Sequence, residues 1–271
     1  MKEKTFDELT IQDDFIFGKV MQDMKNLRPL LERILPEIDF TDLKCIIPQK
    51  SMEEYYGKHG IRVDVFTEDD EHMFSVEMQV GKKEDLAKRT RYYQSVMDMD
   101  DLLKGQDYWE LRKQYVIFIC PKDPFDDNMM MYTYRNVCEE TGKELGDETT
   151  VIFLNCEGKN REKYPQLKAF AEYVNGKESE DSYIRQLEEE VRKAKMDPVW
   201  RAEFMDMRSK LHYERREGRE EGMKKGREEG HAQRNRELIL SLHQKNKTDE
   251  EIAELLDLGI EEVKNILLSL K

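Results

Sequence analysis

The stretch Ile61–Val80, IRVDVFTEDDEHMFSVEMQV, decides the reading of the fold. Ile61–Thr67 and Met73–Val80 are rich in β-branched and apolar residues, which predicts two short strands. The polar run Glu68–His72 between them suits a turn. Side chains alternate faces along a strand. Phe74, Val76, Met78 and Val80 therefore share one face of the second strand, and Glu77 and Gln79 share the other. In the first strand Asp64 shares a face with Arg62 and Phe66, opposite Ile61, Val63 and Val65. Pairing the strands with those faces aligned brings Asp64, Glu77 and Gln79 onto one patch of sheet.

That convergence has an electrostatic cost. Two like charges about 4 Å apart repel by roughly 4 kcal/mol at an effective dielectric of about 20. This corresponds to about three pKa units, so such a pair takes up a proton or a cation. Carboxylates on adjacent strands are hard oxygen ligands of the kind Mg²⁺ or Mn²⁺ accepts. The competing reading is an ordinary amphipathic hairpin with a solvated acidic face. Alternation alone does not separate the two.

The order of elements adds information. After a short lead-in at Phe6–Thr10, Asp14 begins a helical pattern with Phe17, Val20, Met21, Met24, Leu27, Leu31, Ile34 and Leu35 at spacings of three and four, closed by Pro36. Leu43–Ile47 reads as a strand ending at Pro48, and a polar segment with Gly57 and Gly60 leads into the central pair. Glu84–Lys104 reads as a second helix ended by Gly105, and Tyr115–Cys120 as a buried strand. The order is helix, three strands, helix, strand.

With these pieces in place the sequence resembles the PD-(D/E)XK nuclease superfamily, and more narrowly the PD-(D/E)XK nuclease family transposases, also called recombination-promoting nucleases. The resemblance rests on Asp14-Phe15-Ile16-Phe17, Arg62-Val63-Asp64-Val65 and Val76-Glu77-Met78-Gln79. Arg89 with Tyr92-Tyr93, then Gly105, Tyr108 and Leu111, the run Tyr132–Glu140 (YTYRNVCEE) and the glycine-spaced tail also fit. It implies an α/β fold with a restriction-endonuclease-like αβββαβ core, a central mixed sheet flanked by helices, and an all-α C-terminal tail. It implies a metal-dependent DNA endonuclease, with Asp64 and Glu77 binding Mg²⁺ or Mn²⁺ together with the backbone carbonyl of Met78, and with Asp14 as an additional acidic residue. Gln79 stands where many members carry a lysine, so the catalytic set is Asp64, Glu77 and Gln79. Val63 replaces the proline of the motif. Glutamine holds a water by hydrogen bonds but adds no charge. A catalytically weak member that binds DNA or protein through its tail is the alternative class.

The second helix clusters Lys88, Arg89, Arg91 and Gln94 with Tyr92 and Tyr93, which makes Lys88, Arg89, Arg91 and Tyr93 candidate DNA contacts. The other reading puts Tyr93, Val96 and Met97 on a core face and leaves the basic residues solvated. The formal charge of −14 over 271 residues opposes approach to phosphate except at a local basic groove. No run reaches the length of a membrane span. Cys45, Cys120, Cys138 and Cys156 form no CxxC pair, and the start lacks a signal peptide's apolar region. A reduced cytoplasm is the expected compartment.

Thr149–Asn155 reads as another strand, and Tyr164–Asn175 as a helix stopped by Gly176. The nuclease-like domain is expected over residues 1–178, a charged helical connector over 179–236, and a small helix-turn-helix-like unit over 237–271. In the connector Gly218, Gly222, Gly226 and Gly230 recur every fourth residue among Glu, Arg and Lys. Such a row either suits a solvated connector or lets another helix approach closely. In the last unit Thr248–Glu251 has capping-box form, and Gly259 is expected to make the turn. Glu261 and Glu262 at the start of the last helix oppose base and phosphate contacts, so self-association through the tail into a homo-oligomer is the expected role.

Overall fold

The computed structural model describes residues 4–48, 51–52, 61–81 and 84–269. The side chains of Ile61, Arg62 and Cys45, and the segment with Gly57 and Gly60, lie outside the described residues. Helices α1 (Asp14–Met21) and α2 (Met24–Ile34) come first, then strands β1 (Cys45–Pro48), β2 (Ser51–Met52), β3 (Ile61–Arg62), β4 (Val65–Glu68) and β5 (His72–Met78). Next come α3 (Leu86–Asp101), β6 (Lys113–Cys120), β7 (Met131–Tyr134), β8 (Thr149–Asn155), α4 (Pro165–Val174) and α5 (Ser182–Met196). The long α6 (Pro198–Gln244), α7 (Asp249–Leu256) and α8 (Ile260–Leu268) complete the chain.

Six strands form one mixed sheet in the order β1-β4-β5-β6-β8-β7. The outer pairs are antiparallel, while β5, β6 and β8 run parallel. This is the α/β core with flanking helices and a helical C-terminal region that the resemblance implied. One face of the sheet packs on α3 through Phe66, Met73, Val116, Phe118 and Phe153, met by Leu86, Tyr93 and Met97. The opposite face, with Val65, Phe74, Val76, Ile117, Ile119 and Leu154, is equally buried. It lies under α1, which touches β1 and β5, with α2 and α5 packed on α1 and α4 packed on α2 and α5. Parallel strands require cover on both faces because their crossovers are helical. The solvated acidic face of a lone hairpin therefore does not exist here.

Several expectations are corrected. The helix expected from Asp14 to Leu35 is two, broken at Gln22–Asp23, where Asp23 accepts a hydrogen bond from the Lys25 amide as the N-cap of α2. The first central strand is also broken. Ile61–Arg62 pairs with Ser51–Met52 in a separate ladder, and the chain bends at Asp64 before β4. Val63, assigned by strict alternation to the face opposite Phe66, therefore joins the same core as Phe66. Helix α3 stops at Asp101 rather than Lys104. β7 was not expected from the sequence at all. It pairs antiparallel with β8 at the sheet edge.

The chain separates into two compact units, Met1–Phe204 and Met205–Lys271. The first runs beyond the expected boundary at residue 178. Ile184 and Leu187 of α5 are fully buried, and the Tyr183 hydroxyl donates to the Asn26 carbonyl. Phe204 packs on Phe6 and Phe15. The second unit has its own small core of Ile239, Ile252, Ala253 and Val263. Its capping box at Thr248 and Glu251 is present, with the Glu251 amide donating to Thr248 Oγ1 and the Thr248 amide to Glu251. The left-handed residue of the turn is Asp257 (φ 54°), and Gly259 instead caps α8 with φ −69°. Gly218, Gly222, Gly226 and Gly230 lie inside the continuous helix α6, and a Cβ at each would meet nothing within 4 Å.

Candidate active site

The C-terminal end of β5, an interior strand, gathers the candidate residues. Val65 lies opposite Val76, so one further step of the register places Asp64 opposite Glu77. The pair locks reciprocally. The Asp64 amide donates to Glu77 Oε1 at 3.0 Å, and the Met78 amide donates to Asp64 Oδ2 at 3.0 Å. Each carboxylate accepts from the backbone of the other strand, so the bend before β4 and the end of β5 hold each other in place. Glu77 is 5% exposed and Gln79 likewise.

Burial pushes the Glu77 carboxyl well above its ordinary range, and the Asp64 charge beside it adds to the rise. The Asp64 amide bond and the Arg89 charge oppose the rise, while Asp14 contributes to it. Two carboxylates at the end of an apolar core disfavour joint ionisation until a cation or a proton compensates them. The residues fit a divalent cation by their chemistry, as two hard oxygen donors in a site with too much negative charge. Among the described residues no group of three or more His, Cys, Asp or Glu side chains is placed to hold a metal ion. Asp14 stands at the start of α1. Its Oδ1 accepts from the Phe15 amide, and it acts on Glu77 through space. Gly18, one turn on, brings α1 against the sheet, where a Cβ would sit 3.5 Å from the Asp64 carbonyl oxygen.

Gln79 continues the ladder, its amide donating to the Ile119 carbonyl at 2.8 Å. Its side chain is engaged at both ends. Nε2 donates to the carbonyls of Gly81 at 3.1 Å and Val80 at 3.4 Å, and Oε1 accepts from Arg89 Nη1 at 2.7 Å. Arg89 Nη2 donates to the Tyr93 hydroxyl at 3.1 Å, and the guanidinium lies 5.4 Å from the centre of the Phe118 ring. Burial, followed by the Glu77 charge, pushes the Tyr93 phenol up.

Of the four candidate DNA contacts on α3, two point inward and two outward. Arg89 and Tyr93, four residues apart, turn toward the site, while Lys88 and Arg91 are exposed. The partnership of Arg89 with Gln79 was not foreseen. Its signal was the i, i+4 phase that puts Arg89 on the buried stripe of Tyr93 and Met97.

A helix, antiparallel strands ending in two carboxylates, a crossover helix and a parallel strand make up a PD-(D/E)XK α/β nuclease fold. The chain belongs to that group: the model of the PD-(D/E)XK nuclease family transposases matches residues 13–229. No curated protein and no solved structure matches the chain.

Proposed function

We propose that this chain is a Mg²⁺- or Mn²⁺-dependent DNA endonuclease that hydrolyses phosphodiester bonds in a transposase-like, recombination-promoting role. The observation that carries the reading is the locked Asp64–Glu77 pair at the end of β5, with Glu77 buried and held above its ordinary carboxyl range. Asp64, Glu77 and the Met78 carbonyl would hold the cation, with Asp14 within electrostatic reach. When bound, the cation supplies charge stabilisation at the phosphate and a more acidic water.

The chain's own residues supply placement. The reciprocal amide bonds fix both carboxylates without spending side-chain entropy at the moment of reaction. The α3 core behind them, from Phe118 to Met97, excludes water from one side. Lys88 and Arg91, exposed on α3, are proposed to meet flanking phosphates. No helix among the described residues is long and apolar enough to cross a membrane. Cys120, Cys138 and Cys156 are free thiols, in keeping with a proposed cytoplasmic setting.

A plasmid-nicking assay with Mg²⁺ or Mn²⁺ tests the reading. The natural chain should cleave and Asp64→Ala should fall to background. Equal cleavage by both would remove Asp64 and Glu77 from the chemistry.

A second reading, a binding role through the tail, is favoured by one observation. Leu255 and Leu268 of the terminal unit are 61% and 65% exposed, and two such residues on a small unit suit self-association. Deleting everything after Phe204 should leave a folded domain of lower oligomeric mass by light scattering. The same number of chains per assembly with and without the tail would rule it out as the association element.

A further inference from the structure

We propose that Arg89 is the cation that meets the scissile phosphate, and that Gln79 is a positioning residue that aims it. The proposal rests on the nuclease reading above and assigns a role that the Asp64–Glu77 pair does not supply.

The argument begins with Gln79. Its amide nitrogen is committed to the Val80 and Gly81 carbonyls, and its amide oxygen to Arg89. A side chain engaged at both ends serves poorly as a holder of mobile water. It serves well as a bracket, because its backbone is fixed on Ile119 and its own orientation is set by two carbonyls. What it brackets is a guanidinium. Tyr93 holds the other terminal nitrogen, and the faces of Tyr93 and Phe118 lie 5.5 and 5.4 Å from its carbon. The side chain is thereby fixed in plane as well as in direction.

The second observation is what Arg89 does not do. Its hydrogen bonds go to a neutral amide and a neutral phenol. These leave the remaining N–H donors of the fork without a partner among the described residues. A half-buried arginine ordinarily meets a carboxylate, and the charges of Glu77 and Asp85 both act on this one. Its charge lowers the Glu77 carboxyl through space. Gln79 and Tyr93 hold the guanidinium beside the acids without letting it close on them.

Planar donors left open, next to anionic oxygens that would hold a cation, match a phosphate diester. Negative charge on the phosphate oxygens grows as water's oxygen bonds to phosphorus and the bond to the leaving sugar oxygen breaks. A fixed guanidinium in a water-poor site stabilises that growth without reorganising. In a chain of formal charge −14, a fixed local cation also offsets repulsion of the incoming strand.

The test moves the charge. Arg89→Met keeps most of the packing on Phe118 and removes the cation, and Arg89→Lys keeps charge without the planar fork. Gln79→Lys returns a cation to the same place from the sheet. Arg89→Met should lower kcat/KM for plasmid cleavage by about 10²- to 10³-fold, as loss of one fixed donor does, with Arg89→Lys between it and the natural chain. Gln79→Lys in the Arg89→Met background should recover at least about tenfold of that loss. Duplex binding in EDTA should show a salt slope reduced by about one for Arg89→Met.

Cleavage by Arg89→Met equal to the natural chain would overturn the assignment and leave the nuclease reading intact. So would a double variant that melts like the natural chain but cleaves no better than Arg89→Met. If the natural chain cleaves nothing, the nuclease reading fails. The phosphate contact then stands or falls on the salt slope alone, an unchanged slope overturning it as well.

Discussion

The two ends of α3 carry acid clusters that are built in opposite ways. At its C-terminal end Asp101 and Glu68 meet Arg112 directly. The guanidinium donates to Asp101, to Glu68 at 3.1 Å and to the Asp69 carbonyl at 2.8 Å, while the Arg112 amide also donates to Asp101. One arginine ties the end of α3 to the β4–β5 turn and to the start of β6. At the N-terminal end, beside Asp64 and Glu77, the arginine is held on Gln79 and Tyr93 instead. Compensated charge is a staple. On Glu77 the Arg89 charge acts through space instead, the pattern of a site rather than of a staple.

The comparison breaks if the two ends respond alike to substitution. The largest effect on stability should come from Arg112→Ala, which leaves the side chain of Asp101, 9% exposed, without its cation. Loss of about 3 kcal/mol of unfolding free energy is expected. Cleavage per folded molecule should be unchanged, and a large loss of turnover with little unfolding would reverse the roles assigned to the two ends.

A smaller effect, of opposite sign, is expected at Glu77. Its folded carboxyl titrates above its unfolded value near 4.5. Below that value the proton is bound in both states. Above it the unfolded chain releases the proton first, so metal-free stability falls as pH rises and levels off above the folded pKa. Glu77→Gln should flatten this slope and raise metal-free stability at neutral pH. Parallel denaturation curves for the two chains across that range would show that Glu77 is not held uncompensated.

Much of this was legible in the residues. Thr149–Asn155 announced β8, and alternation put Asp64 and Glu77 on one patch of sheet once their faces are aligned, while the register that sets them opposite each other comes from the structure. Alternation did not reveal that their face is the α3 core, because it reports which side chains share a face and not what covers it. Phe66 on the same face was the available hint. The break between α1 and α2 was hidden because apolar spacing continues across it, and only Asp23 marks a new cap. β7 escaped because Met131–Tyr134 borrows its order from β8 and from Asp123, which accepts from the Tyr132 hydroxyl. The roles of Gln79 and Arg89 depend on a contact across ten residues of loop and helix, which spacing does not encode.

The central claim is that Asp64 and Glu77 are brought together at the end of β5 so that they can hold a divalent cation. The melting temperature with and without Mg²⁺ or Mn²⁺, for the natural chain and for Glu77→Ala, measures this directly, since a ligand that binds the folded state raises its stability. The account predicts a clear rise for the natural chain and loss of most of it in Glu77→Ala. The same rise in both chains would contradict it.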